Sequence, residues 1–214
     1  MIICIEGVDG CGKHTQSEKL YQFLQNKGYK CLLLSFPNYE SQGSAPVKMY
    51  LSGEFIGEKL NPYQINSLFA VDRLTTLSKI DLSEYDFVIF DRYVPSSMIY
   101  QSYPFESDNQ VDQFVEWVEM FEYDKLQLPK PDKVVFLDMP IEMSLNLSKQ
   151  RNELKGGMKR DIHEENDELL IHAYNRAKYL ANKQQWTIVN CGSVNLKSVE
   201  EIHKEILTKL GFEC

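Results

Sequence analysis

Residues Gly7 to Thr15 read Gly-Val-Asp-Gly-Cys-Gly-Lys-His-Thr, directly after a short apolar run and directly before a helical pattern. A loop in that position can aim several backbone N–H groups at one anion, while the helix N-terminus adds partial positive charge. Glycines suit it because a side chain would block the close approach or the turn. Gly7, Gly12 and Lys13 meet the spacing G-x-x-x-x-G-K, in which the lysine supplies a mobile charge for β- and γ-phosphates. The whole stretch, Gly7, Val8, Asp9, Gly10, Cys11, Gly12, Lys13, His14 and Thr15, is therefore read as a cradle for ATP phosphates. His14 stands where the pattern normally has Ser or Thr on magnesium. A neutral imidazole is a poor ligand for so hard an ion, so either Thr15 reaches the metal or a water takes the place. The bland reading of His14 is a first-turn residue facing solvent.

A second anchor is Phe87-Val88-Ile89-Phe90-Asp91, an apolar run ending in a carboxylate. In phosphate-loop proteins an aspartate so placed holds the magnesium ion from the neighbouring strand. A GTPase would need an N-K-x-D base reader, which is absent, and Leu51-Ser52-Gly53 alone does not make an ABC-type ATPase. What remains is a small kinase. Such an enzyme binds two phosphorylated partners end to end and needs several arginines to cancel their crowded charge. Arg73, Arg92, Arg151 and Arg160 are the candidates. Arg92 follows Asp91 at once, where α/β ligands bind. Phe69 and Arg73 lie four apart on one helical face, so that ring and guanidinium could stack a base and clamp its phosphate.

Taken together the motifs resemble the thymidylate kinase family. The resemblance rests on Gly7-Val8-Asp9 in the loop, Phe36-Pro37, Phe69-Ala70-Val71-Asp72-Arg73, Asp91-Arg92-Tyr93 followed by Ser96, Ser97, Tyr100 and Gln101, and Leu128-Pro129-Lys130-Pro131-Asp132. It is dense to about residue 165 and diffuse beyond. It implies transfer of the γ-phosphoryl group of ATP to dTMP, with Mg²⁺ required; the loop and strand reading above offers Asp91, and Thr15 where it reaches, as protein contacts of that ion. It also implies that Asp9 accepts from the sugar 3′-hydroxyl, Phe69 stacks on thymine, Phe36 and Pro37 wall the base pocket, Ser97 reads the base edge and Tyr100 crowds the 2′ position. Arg73 and Arg92 would hold the dTMP end, Arg92 chiefly at its phosphate. The catalytic set would be Lys13, Arg92, Arg160 and Arg151.

Some members carry Arg just after the loop acid; this chain has Gly10 there and so resembles the branch that supplies it from a mobile lid. That lid would be Lys149 to Ile162, with a Gly156-Gly157 hinge and an Asp161-x-x-Glu164 pattern. The acceptor phosphate has a second pKa near about 6 and is already ionised at neutral pH, so no strong base is needed. Another nucleotide or deoxynucleoside kinase is a competing reading. It would need a base for a neutral 5′-hydroxyl, and Asp9 or Glu6 could be proposed. A nucleotide-binding regulator whose altered loop does not turn over is a third.

Positioning these residues falls to short apolar runs, as a set rich in β-branched residues, separated by helical patterns. The runs are Ile2 to Ile5, Cys31 to Leu34, Phe87 to Phe90, Val134 to Leu137 and Thr187 to Val189. Continuous rather than alternating, they read as buried parallel strands. Helices are expected over Thr15 to Asn26, Pro62 to Lys79, Ser97 to Gln101, Val111 to Tyr123, Glu142 to Arg151, Glu164 to Gln185 and Ser198 to Leu210. The expected fold is α/β: a three-layer P-loop NTPase fold with a five-stranded parallel sheet flanked by helices, plus the lid, in one domain over residues 1–214.

The 214 residues carry 23 basic and 31 acidic side chains, a net charge of −8, which argues against a partner held by bulk attraction such as nucleic acid or an anionic membrane. Phosphates must be bound locally. Five scattered cysteines without a C-x-x-C pair suggest reduced thiols. With no run of eighteen apolar residues and an early Glu6, a cytoplasmic protein is expected. Phe114, Trp117, Val118 and Phe121 on one helix serve core packing by the simplest reading; the family implies that they, or a face near them, join a homodimer.

Overall fold

A computed structural model of the chain describes residues 1–55, 60–154, 167–193 and 195–213, the side chains of 151–154 excepted. The apolar runs form β1 (Ile2–Glu6), β2 (Cys31–Ser35), β3 (Phe87–Asp91), β4 (Lys133–Asp138) and β5 (Thr187–Asn190), one parallel sheet in the order β2-β3-β1-β4-β5. The expected five-stranded α/β architecture is the observed one. Register aligns Asp91 with Ile5 on one side and Ser35 on the other, so the C-terminal ends of the three strands form a common edge.

Alternate residues of the buried strands serve different cores. Cys4, Val88, Phe90 and Phe136 face a layer that includes α3 (Pro62–Leu77), α4 (Val94–Tyr100), α5 (Asp108–Glu119) and α7 (Asp167–Lys183). Ile3, Ile5, Ile89 and Val135 face α1 (Lys13–Asn26) and α8 (Val199–Leu210). Helix α6 (Ile141–Leu154) follows β4, and its Ser144 and Ser148 back the glycine loop. Gly10 has φ +86°, and a Cβ there would fall on the Ser144 carbonyl. No side chain fits at this position, which is the physical reason that an arginine cannot come from it.

Several boundaries differ from the sequence expectation. Helix α4 begins at Val94, three residues before Ser97, because Pro95 sits in the first turn, where its missing N–H costs nothing. A seven-residue helix, α2 (Ala45–Leu51), had no counterpart in the reading of the sequence. The long helix expected over Val111 to Tyr123 is α5 followed by a π-helical turn, Met120–Lys125. Residues 155–166, with Arg160, the glycine pair and the Asp161-x-x-Glu164 pattern, lie outside the described residues; Arg151 falls within α6, and its side chain also lies outside them. No helix among the described residues is long and apolar enough to cross a membrane.

Candidate active site

The loop between β1 and α1 is built on positive φ angles at Gly7, Gly10 and Gly12. A Cβ on Gly12 would meet nothing within 4 Å, so this stretch of backbone is open to a ligand. Lys13 folds back and donates from Nζ to the Val8 carbonyl at 2.7 Å, a pose that holds its ammonium over the loop. Val8 and Cys11 are buried beneath, and burial pushes the Cys11 thiol up from its ordinary range.

At the edge made by the strand ends, a cavity of about 440 Å³ opens beside this loop. That is within the range of small-molecule sites. Its wall includes Asp9, His14, Phe36, Pro37, Phe69, Arg73, Asp91, Arg92, Ser97 and Tyr100, and so brings together all eight residues that the resemblance assigned to dTMP. Thr15 is exposed on the first turn of α1 and is not part of that wall.

Arg92 is the centre of one group. Its guanidinium pairs with Asp9, lies over the Tyr100 ring at 5.3 Å and reaches Ser96 at 3.4 Å; the Tyr100 hydroxyl donates to Asp9 at 3.1 Å. Burial disfavours the Arg92 cation, and Asp9, Tyr100 and Glu6 outweigh it, so this arginine is held firmly charged. Its backbone sits at φ 65°. Just behind, fully buried Glu6 accepts from the Tyr93 N–H at 3.0 Å and from the Ser96 hydroxyl at 2.8 Å. Burial raises its pKa against the pull of Arg92 and these donors. Glu6 thus ties β1 to the turn that presents Arg92.

Arg73 is spent differently from the phosphate clamp suggested by its spacing from Phe69. It is buried and held in a two-pronged pair by fully buried Glu122, both contacts at 2.7 Å, while Nη2 also donates to Ser97 Oγ at 3.0 Å and Nη1 to the Tyr93 carbonyl at 3.4 Å. A neighbouring acid, Asp72, accepts from the Asn38 N–H at 2.8 Å, which fixes the segment after the Phe36-Pro37 cis peptide; burial raises its pKa. Gln101, buried in the cavity wall, has an amide oxygen without a hydrogen-bond partner among the described residues.

Glu122 had been missed in the sequence, although a signal was there. Val111, Val115, Val118 and Glu122 recur at helical spacing, and all four are buried, so a carboxylate lies on an apolar stripe. Ala70, Arg73 and Leu77 form a similar stripe with a cation in it. Opposite charges on two buried stripes have reason to meet.

At the end of β3, Asp91 is buried and receives the Ser35 hydroxyl at 3.4 Å. His14 is largely exposed, yet it also turns toward the site: Nδ1 lies 3.4 Å from Asp91, and Nε2 lies 3.3 Å from Glu18 one turn along α1. The Asp91 carboxylate fits magnesium, which takes one or two carboxylates and completes its shell with water and substrate phosphates, while the hydroxyl of exposed Thr15 lies off the cavity wall.

Comparison with known proteins gives a consistent picture. A family model described as Thymidylate kinase matches residues 5–206. The chain is 36% identical over 172 residues to a thymidylate kinase of Mycobacterium tuberculosis, covering 79% of this chain and 80% of the relative. It is 32% identical over 218 residues to a probable thymidylate kinase of Pyrococcus horikoshii, covering 99% and 96%. A solved thymidylate kinase from Candida albicans superposes with a TM-score of 0.72 at 23% identity, over 97% of this chain and 89% of the other, which establishes a shared P-loop NTPase fold.

Proposed function

Because the chain belongs to the thymidylate kinase family and transfers the γ-phosphoryl group of ATP to dTMP, giving dTDP and ADP, we propose that dTMP occupies the cavity between Phe69 and Arg92 while the loop Gly7–Thr15 holds the ATP phosphates. The observation that carries this reading is the shared wall: Asp9 and His14 belong both to the loop and to the cavity. Donor and acceptor phosphates would meet there.

The base end of the cavity is apolar and aromatic. Phe69 stacks on thymine and Phe36 and Pro37 close the pocket around it. Arg73, immobilised by Glu122, and the Ser97 hydroxyl face the base edge, and the Gln101 oxygen, unpartnered among the described residues, offers an acceptor for the ring N–H. Asp9 accepts from the sugar hydroxyl, and Tyr100, hydrogen-bonded to Asp9, crowds the 2′ position. Arg92 lies between the sugar end and the strand edge, so it holds the acceptor phosphate and its charge.

An oxygen of the dTMP phosphate attacks the γ-phosphorus, and the bond from that phosphorus to the β–γ bridging oxygen breaks. The attacking oxygen is already ionised. Catalysis is therefore positioning and charge: Lys13 on the β- and γ-phosphates, Arg92 on the acceptor, and Arg160 or Arg151 brought over the transferring group by the lid, with water excluded. Asp91 and Thr15 would hold Mg²⁺, which when bound neutralises charge on the phosphate oxygens. A deoxynucleoside kinase would require a free base. Asp9 is engaged by Arg92 and Tyr100, and Glu6 is buried behind Ser96, so neither supports that reading.

The chain would act as a cytoplasmic homodimer, with ATP and dTMP as its small-molecule partners and no nucleic acid or membrane. The half-buried Trp117 and Phe121, stacked at 5.0 Å, and exposed Tyr63 and Met120 are surfaces that a partner would cover. The deciding experiment is ADP release with ATP and Mg²⁺, comparing dTMP, dUMP, UMP, CMP, GMP and thymidine. Turnover with dTMP, with dUMP trailing, is expected. Equal turnover with thymidine would overturn the acceptor assignment, and ATP binding without any turnover would favour the regulator.

A further inference from the structure

We infer that Glu122, fully buried behind the cavity, is a positioning residue for base choice: by holding one side of Arg73 it leaves a fixed N–H to the base edge, and so selects a pyrimidine with a carbonyl oxygen there over one with an amino group. The inference rests on the proposed seat of the base beside Phe69. A guanidinium carries five N–H donors and no acceptor. In Arg73, Nε and one N–H of Nη2 go to the two oxygens of Glu122, the other N–H of Nη2 goes to Ser97 Oγ, and Nη1 reaches the Tyr93 carbonyl at 3.4 Å. Nη1 keeps its second N–H without an acceptor among the described residues, on a side chain that lines the cavity.

Exposure separates the two arginines of the site. The side chains of Arg92 and Asp9 are 20% and 17% exposed, so a phosphate can take the place of that carboxylate; those of Arg73 and Glu122 are 2% and 0% exposed. Parting the second pair would leave a carboxylate uncompensated in a dry interior, which is costly. Burial alone disfavours the Arg73 cation, and Glu122 more than offsets it. Arg73 is therefore a donor-only group whose charge is already neutralised, suited to a carbonyl and not to a phosphate. Stability alone does not call for such a pair, since well-packed apolar side chains serve a core as well or better.

Thymine and uracil present a carbonyl oxygen at position 4, where cytosine carries an amino group. Against a fixed N–H the first gains a charge-assisted hydrogen bond, and the second brings hydrogen against hydrogen. A site of this kind rejects the mismatched analogue because its own buried polar groups are left unpaired. The 5-methyl group takes no part in the contact, so dTMP and dUMP are alike to it.

The test is steady-state kinetics of the full chain with ATP and Mg²⁺ on dTMP, dUMP and 5-methyl-dCMP, the last keeping the methyl group of dTMP and exchanging the 4-carbonyl for an amino group. In Glu122→Gln the preference in kcat/KM for dTMP over 5-methyl-dCMP should fall by about tenfold or more, chiefly through a higher KM for dTMP, while the preference for dTMP over dUMP stays within about twofold. Such ratios do not depend on the folded fraction. Glu122→Asp, which keeps the charge but draws it back by one methylene, is read in the same way where Glu122→Gln yields no active protein. Equal losses on all three acceptors would overturn the inference and leave the pair a structural one. No preference for dTMP over 5-methyl-dCMP in the parent would overturn it too. Phe69→Ala tests the seat of the base separately: a raised KM for dTMP supports the seat, and an unchanged KM overturns the seat and this inference with it.

Discussion

Arg92 occupies a left-handed backbone conformation at the end of β3, and the structure surrounds it with reasons to be there. Its N–H extends the ladder to Ile5, Glu6 grips the following N–H, and Asp9 and Tyr100 receive the guanidinium. Arg92→Ala should therefore leave the fold intact while kcat falls by about 10²-fold to 10³-fold or more, since a positioned cation on a transferring phosphate contributes on that scale. A coupled assay and a thermal melt on the same preparation check both halves; retained turnover would end the assignment. Glu6 gives a pH signature. Its folded pKa is raised by burial, above the unfolded value near about 4.3. Between those two values the folded chain keeps a proton that the unfolded chain has lost. Stability therefore falls as pH rises through the window and is level above it. Glu6→Gln should remove this slope, so its urea midpoint should gain on that of the parent with rising pH. Parallel midpoint curves would show that Glu6 does not carry the effect.

Elements were legible where the signal was local. The five strands announced themselves as short apolar runs, four of them with β-branched residues, and the loop Gly7–Thr15 by its glycines and lysine. The seven residues of α2 were passed over, although Pro46 in its first turn and Gly53 after it marked both ends. The π-helical turn was not legible, because nothing in the local pattern around Met120–Lys125 marks it and the partner of its buried Glu122, Arg73, lies 49 positions away. That pair also sets the orientation of α3 against the end of α5. Glu122→Gln would leave a buried guanidinium without its counter-charge and should cost about 3–5 kcal/mol. Replacing both partners, as in Arg73→Met with Glu122→Leu, should restore most of the loss while destroying dTMP affinity. Chemical denaturation of the single and double variants reads the coupling directly; additive losses would mean that the two side chains act separately.

At the scale of the whole molecule, the charge balance opposes the ligands. The chain carries a net charge of −8, and both of its substrates are anions. The two arginines at the site do not correct this over distance: Arg73 is neutralised by Glu122 and Arg92 by Asp9, and Asp91 and Glu6 lie among them to offset Lys13. Attraction is confined to contact range, where a guanidinium and oriented N–H groups act in a partly dry cavity. Encounter, in contrast, is governed by the outer field, which repels. Raising ionic strength from about 0.01 M to 0.15 M shortens the Debye length from about 30 Å to about 8 Å and so weakens that repulsion. For a basic protein that steers anions, such a change slows association steeply. Here kcat/KM for dTMP, measured with free metal and ATP saturation held constant, should stay within about twofold or rise across that range. A tenfold fall would mean that cations outside the described side chains, Arg160 and Arg151 among them, project a field well beyond the cavity and recruit the substrate.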